Sequence, residues 1–210
     1  AKNYAEKYGV EQLSVDQILS NEEIELIINL TIPDVNFEVS KSILEAGKHS
    51  YSEKPLSIKF EHGEELVNLA KSKGLHVGCA PDTFLGAGIQ EAKKIIDQNE
   101  IGKINLGSIS MGVAGHEIWH PNPDFYYKYG GGPILDMGPY YFTALVNLLG
   151  PAKNVFTQSR TVYQKRVIGS GERQGQEIEV EIPTTLVSQI EFQNGALIDS
   201  FFSFDIWKHS

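Results

Sequence analysis

The residues best equipped for chemistry fall in two short runs and one histidine pair. Glu53-Lys54-Pro55 follows a segment of strand character, so Lys54 would project a cation at a strand end while Pro55 fixes the backbone beside it. A solvated surface lysine is the plain alternative, and three letters do not separate the two. Gly130-Gly131-Gly132-Pro133 opens a richer run: the glycines permit close backbone approach, the proline suits a first helical turn, and Asp136 and Tyr140 would share one helical face. A carboxylate and a phenol pointing the same way can hold a hydroxyl and move its proton. The competing use of the same letters is structural, with Asp136 complementing the helix N-terminus and Tyr140 packed in a core.

His116-Glu117-Ile118-Trp119-His120 matches the H-E-x-x-H zinc pattern, which needs a two-turn helix to bring both imidazoles to one face. Gly112 and Gly115 before it and Pro121 and Pro123 after it oppose that helix, and no glutamate lies between His120 and Glu172 to complete a site. No metal is expected; the segment reads instead as polar residues on a substrate loop. Gly86-Ala87-Gly88 has Glu91 where a third phosphate-loop glycine would stand, and a carboxylate there repels pyrophosphate. It reads as an ordinary helix start.

The elements that position these residues follow from periodicity. An apolar run of strand length at Ile24 to Leu30 and short strand-like segments at His49 to Ser52 and Leu75 to Ala80 alternate with helical spacing at Val35 to Ala46 and Phe60 to Ser72, closed by Gly47 and Gly74. That β-α-β-α-β order predicts a parallel sheet, whose carboxyl ends gather Thr31-Ile32-Pro33, Glu53-Lys54-Pro55 and Pro81-Asp82-Thr83 on one rim. The grammar then changes to a helix from Leu85 to Gln98, a strand from Lys103 to Val113, a helix from Pro133 to Leu149, and mostly strands. A hairpin, Leu186 to Phe192 with Ala196 to Phe204, is expected around Asn194-Gly195, with positive φ at both turn positions. Gly169 to Gly175 reads as a flexible loop. The expected domains are 1–82, an α/β nucleotide-binding domain lacking its N-terminal part, and 83–210, an α+β domain with a mostly antiparallel sheet. A short helix from Ala1 to Tyr8, and an end at Ser210 just past a strand, read as the borders of a piece of a longer polypeptide.

Composition narrows the function classes. With 41% apolar residues the chain can bury a core, and its formal charge of −9 leaves no broad basic surface for nucleic acid. Cys79 stands alone, so no internal disulfide forms and a reducing, cytoplasmic setting is expected, with Cys79 as a small buried hydrophobe. No apolar run reaches membrane-spanning length.

Taken together, Glu53-Lys54-Pro55 after a parallel strand and the glycine-rich run ending in Asp136 and Tyr140 resemble the glucose-fructose oxidoreductase and inositol dehydrogenase family, and the resemblance runs from Ala1 to Ser210. It implies a Rossmann domain for NAD or NADP, with the glycine fingerprint just before Ala1, and a second domain whose sheet makes a homo-oligomer. It also implies a hydride transfer involving a hydroxyl-bearing carbon of a sugar, polyol or related substrate. Residue by residue, it makes Lys54, Asp136 and Tyr140 catalytic, lays Leu30, Thr31, Pro33, Asn36, Glu53, Lys54 and Pro55 along the cofactor, and suggests a cis Lys54-Pro55 bond. Inositol dehydrogenases carry histidine where this chain has Tyr140, which places it nearer the tyrosine-containing branch. A phenol ionises about three units above neutrality, a handicap of roughly 4 kcal/mol for a base, and a neighbouring cation reduces it; the resemblance gives that place to Lys54. His116, Trp119 and His120 are then expected in the substrate pocket. Pro81-Asp82-Thr83-Phe84 departs from the Asn and Arg of many relatives. Two other functions fit the same resemblance: a redox-neutral, NAD-dependent sugar lyase or glycosidase, and a non-enzymatic sugar or nucleotide sensor.

Overall fold

A computed structural model describes residues 2–207; Ala1, Ser210 and the residues between Trp207 and Ser210 lie outside the described residues, and with them the expected start of the first helix and the chain's expected end. The chain divides into two compact units, Ala1–Ala80 and Pro81–Ser210.

In the first unit α1 (Lys2–Tyr8) and α2 (Val15–Ser20) precede the sheet, and α2 begins in a reciprocal cap between Ser14 and Gln17. Strand β1 (Leu26–Asn29), helix α3 (Pro33–Glu45), strand β2 (His49–Ser52), helix α4 (Phe60–Ser72) and strand β3 (Val77–Cys79) follow in the expected alternation. The three strands are parallel in the order β1-β2-β3, with Ile28 opposite Tyr51 and Tyr51 opposite Gly78. Helix α3 starts on Pro33, whose missing N–H costs nothing there, and ends before Gly47 at φ +79°. Phe37 and Leu44 of α3 meet Leu66 and Ala70 of α4, with Leu56, Leu69, Leu75 and Val77 around them. Burying the Phe37, Leu44 and Leu66 side chains contributes about 1.5–3 kcal/mol each.

The second unit opens with a 3-10 turn (Thr83–Leu85), helix α5 (Ala87–Asp97) and strand β4 (Leu106–Gly112). Two further 3-10 turns, His116–Ile118 and Asp124–Tyr127, lead to α6 (Gly132–Asp136) and α7 (Gly138–Leu149). Strands β5 (Ala152–Arg160), β6 (Lys165–Val167), β7 (Glu177–Glu179), β8 (Thr185–Phe192) and β9 (Leu197–Ser203) complete it. The main sheet runs β4-β9-β8-β5, antiparallel except for the parallel β4–β9 pair, and β6 pairs with β7 separately. Its inner face, with Ile190, Phe192 and Ile198, packs on Leu145 and Leu149 of α7. A second cluster places Met111, Phe202 and Phe204 against Tyr127, Ile168 and Ile178.

Two expectations need correction. The helix expected from Pro133 to Leu149 is broken at Met137 (φ −109°, ψ −27°), so Asp136 ends α6 while Tyr140 lies in the first turn of α7. They do not share one continuous helical face, because Gly138-Pro139 starts a helix of its own with Pro near N1. The hairpin turn has positive φ only at Gly195 (φ +91°). Phe192 accepts from Gly195 N–H at 2.9 Å and donates to Ala196 at 2.9 Å, a three-residue loop ending in a glycine bulge. Asn194 caps it, accepting from Ala196 N–H and donating to the Leu149 carbonyl.

Among the described residues no helix is long and apolar enough to cross a membrane.

Candidate active site

In the first unit a buried polar post stands at the ends of β1 and β2. Asn29 donates to Asn36 Oδ1 at 2.9 Å and to Ser40 Oγ at 3.0 Å, and its Oδ1 accepts from Thr31 Oγ1 at 2.7 Å and Thr31 N–H at 3.1 Å. Asn36 in turn donates its amide to the carbonyls of Glu53 (2.9 Å) and Pro55 (3.2 Å). The backbone on both sides of Lys54 is thereby tied to α3, and the Lys54-Pro55 bond is cis. Asn36 is fully buried. It therefore supports the 53–55 turn from within. A buried amide left unpaired costs about 1–3 kcal/mol, so this post holds only while every partner is present.

Above the post the rim is open. Leu30 is 73% and Ile32 65% exposed, Thr31 and Pro33 are half-buried between them, Glu53 is exposed, and Lys54 is half-buried. An exposed apolar edge beside a cation suits the flat face and the phosphates of a dinucleotide.

The second unit, taken by itself, holds a carboxylate, an imidazole and a set of rings. His116 Nε2 lies 3.0 Å from Asp136 Oδ2, with both side chains largely buried. The His116 ring sits 4.1 Å from Tyr126 and 4.7 Å from Phe204, and meets Trp119 edge-on at 5.5 Å. His120 joins the same group through Trp119, Phe125 and Tyr126. Trp119 and Phe125 remain more than half exposed, so the rings form an open aromatic surface next to the dyad. Burial and the nearby Asp136 charge push the Tyr126 phenol above its ordinary range.

The segment expected to carry polar residues does so through a single 3-10 turn, not the two-turn helix of the zinc pattern. Glu117 points away from the histidines into a buried cluster: it accepts from Arg166 Nη1 at 2.7 Å and from the Tyr127 hydroxyl, and Arg166 also pairs with Asp205. Burial and the Glu117 hydrogen bond hold the Tyr127 phenol well above its usual value. Tyr127 Oη in turn accepts from the His116 backbone N–H at 3.1 Å, so this cluster sets the backbone of the turn. Among the described residues no three His, Cys, Asp or Glu side chains converge as a metal site. Gly131 lets the turn approach α6: a Cβ there would lie 2.8 Å from the Tyr126 carbonyl carbon and closer still to the Phe125 oxygen.

Periodicity missed Asn29, Ser40, Tyr126, Tyr127, Arg166 and Asp205. The one signal for Asn29 was an amide closing the apolar run Leu26-Ile27-Ile28, which must find buried partners.

Comparison with known proteins agrees with both halves of this architecture. Residues 1–80 match the model described as oxidoreductase family, NAD-binding Rossmann fold, and residues 89–210 match the GFO/IDH/MocA C-terminal domain. The chain belongs to the GFO/IDH/MocA oxidoreductase family. Among similar proteins, the oxidoreductase YhhX of Escherichia coli is 36% identical over 72% of this chain and 43% of its own length. The D-xylose dehydrogenase of Paenarthrobacter nicotinovorans is 23% identical over 76% of this chain and 43% of its own. An NAD binding oxidoreductase from Klebsiella pneumoniae shares the fold, with a TM-score of 0.86 at 20% identity over 100% of this chain and 56% of that one. The chain spans 38–43% of the length of several curated GFO/IDH/MocA relatives.

Proposed function

We propose that the protein is an NAD(P)-dependent dehydrogenase acting on a hydroxyl-bearing carbon of a sugar, polyol or related substrate, with Lys54, Asp136 and Tyr140 as its acting residues. The observation that carries this reading is the Asn36-held Glu53-Lys54-Pro55 turn, set at the carboxyl end of β2 in a unit of NAD-binding family. Leu30, Thr31, Pro33 and Glu53 would hold the dinucleotide along that rim, with the buried Pro55 shaping the turn behind them; when bound, the dinucleotide supplies the hydride acceptor or donor. Tyr140 takes or returns the hydroxyl proton at its phenol oxygen, and the Lys54 ammonium stabilises negative charge developing on the reacting oxygen. Asp136 orients the hydroxyl. The open rings of Trp119 and Phe125, with His120, pack on the apolar faces of a sugar ring. Relatives named for D-xylose, scyllo-inositol and levoglucosan support a polyhydroxylated substrate. The same reading places the protein in the cytoplasm, in keeping with its lone cysteine.

The test is turnover of those three compounds with NAD and with NADP. Tyr140→Phe and Lys54→Met should each lower turnover by about 10²-fold or more while dinucleotide binding persists. Unchanged turnover in Tyr140→Phe would remove the phenol from the mechanism. A cofactor that copurifies tightly and gives no net reduction with any substrate would favour redox-neutral chemistry instead.

A further inference from the structure

We infer that His116 acts on Asp136 and not on the substrate: it is the positioning residue that orients the Asp136 carboxylate. The inference rests on the proposed role of Asp136, and it assigns His116 a different task from the pocket contact that the sequence suggests.

Three observations bear on it. Nε2 of His116 is 3.0 Å from Asp136 Oδ2, while Nδ1 is buried and has no hydrogen-bond partner among the described residues. The carboxylate is thus the ring's one polar contact there. Next, the ring is enclosed by Tyr126, Phe204 and Trp119, which leave its side chain 13% exposed and fix its plane. Finally, its backbone is anchored through Tyr127 to the buried Glu117–Arg166–Asp205 cluster, whose side chains are each no more than 8% exposed.

Tautomer chemistry gives the direction. With its proton on Nε2 the imidazole donates to a carboxylate oxygen and leaves Nδ1 as a bare acceptor facing rings. The other tautomer would set two acceptors against each other at 3.0 Å and strand an N–H in an apolar enclosure, the costlier arrangement. A ring whose second nitrogen is sealed away cannot pass a proton onward. What it can do is hold Oδ2 in one place, which fixes the rotamer from which Asp136 orients a hydroxyl. The Glu117 cluster acts one step further back, by setting the turn that carries the ring.

Two substitutions in the whole protein separate this role from packing. Phenylalanine at position 116 keeps the ring contacts and loses the donor, whereas glutamine loses the ring and retains an N–H near the Nε2 position. His116→Phe should lower kcat with D-xylose or scyllo-inositol by roughly 10-fold or more with little change in KM, and His116→Gln should recover most of it. Recovery by Phe and not by Gln, or a raised KM at unchanged kcat, overturns the inference. An activity-independent measurement accompanies this one: long-range 15N–1H correlation spectra of histidine-labelled protein. The His116 signals, identified by their loss in His116→Gln, should show the proton on Nε2 and move in Asp136→Asn. A proton on Nδ1, or signals indifferent to Asp136→Asn, overturns it as well. If the wild-type protein turns over no polyol while the spectra show the expected coupling, the dehydrogenase reading fails and the dyad stands.

Discussion

A buried side chain does chemistry or supports it according to which of its atoms are already committed. Asn36 has its amide on the carbonyls of Glu53 and Pro55 and its oxygen on Asn29, so nothing is left for a ligand. The same reasoning applies to Cys79, half-buried where the sequence suggested full burial, whose thiol donates to the Ala80 carbonyl at 2.7 Å. Burial pushes this thiol above its usual value, so less thiolate is present at any mildly alkaline pH. Alkylation by iodoacetamide should be slower than for an unstructured cysteine at pH about 8.5, and its rate should keep rising well past the pH at which free thiol levels off. A rate equal to that of free cysteine would place the thiol in open water. The place of Glu53, Lys54 and Pro55 just past a strand was legible in the sequence, whereas the Asn36 tie that holds their backbone, 17 and 19 residues away, was not. The His116–Asp136 contact was not, since its partners lie 20 residues apart and meet only through a turn and a broken helix. Neither was the fate of Glu117, drawn away by Arg166, 49 residues distant.

The elements show where local rules sufficed and where neighbours overrode them. Helices α3 and α4 begin and end close to where proline, glycine and apolar spacing put them, and strand β2 matches throughout. The run after Gly130 was harder, because its apolar spacing continues across Met137 while its backbone does not; Pro139 can open a helix as readily as interrupt one. Continuity was therefore the wrong inference from the right residues. Similarly, Asn194-Gly195 did mark the hairpin, but Asn194 caps the loop without adopting positive φ. The glycine run has a consequence that calorimetry can measure. Gly131 lies against the Phe125–Tyr126 backbone, which cannot swing aside as a side chain would. Gly131→Ala should lower stability by about 1–3 kcal/mol, a Tm shift of several degrees, and disturb the Tyr126 contact with His116. An unshifted Tm would mean that the turn of Asp124–Tyr127 yields readily.

At the scale of the molecule, one side of the second unit's main sheet is exposed among the described residues. Leu106, Phe156, Val187 and Leu197 are each at least half exposed, and every residue of the nine-residue edge strand β5 is exposed. On our reading of the protein as a homo-oligomer, a second copy covers this face, since an open apolar edge invites pairing. Phe156→Lys together with Val187→Lys should shift the protein from an oligomer to a smaller species in light scattering, with secondary structure intact. An unchanged mass would put the contact elsewhere. The sheet also imposes an order of events on synthesis. Among the described residues strand β4 joins it through its parallel partner β9, and α6, α7 and strands β5 to β8 come between them in the chain. At roughly 5–20 residues per second, β4 and the His116 turn behind it emerge seconds before the strand that receives them. The turn bearing His116 is thus translated well before the strand with which β4 pairs.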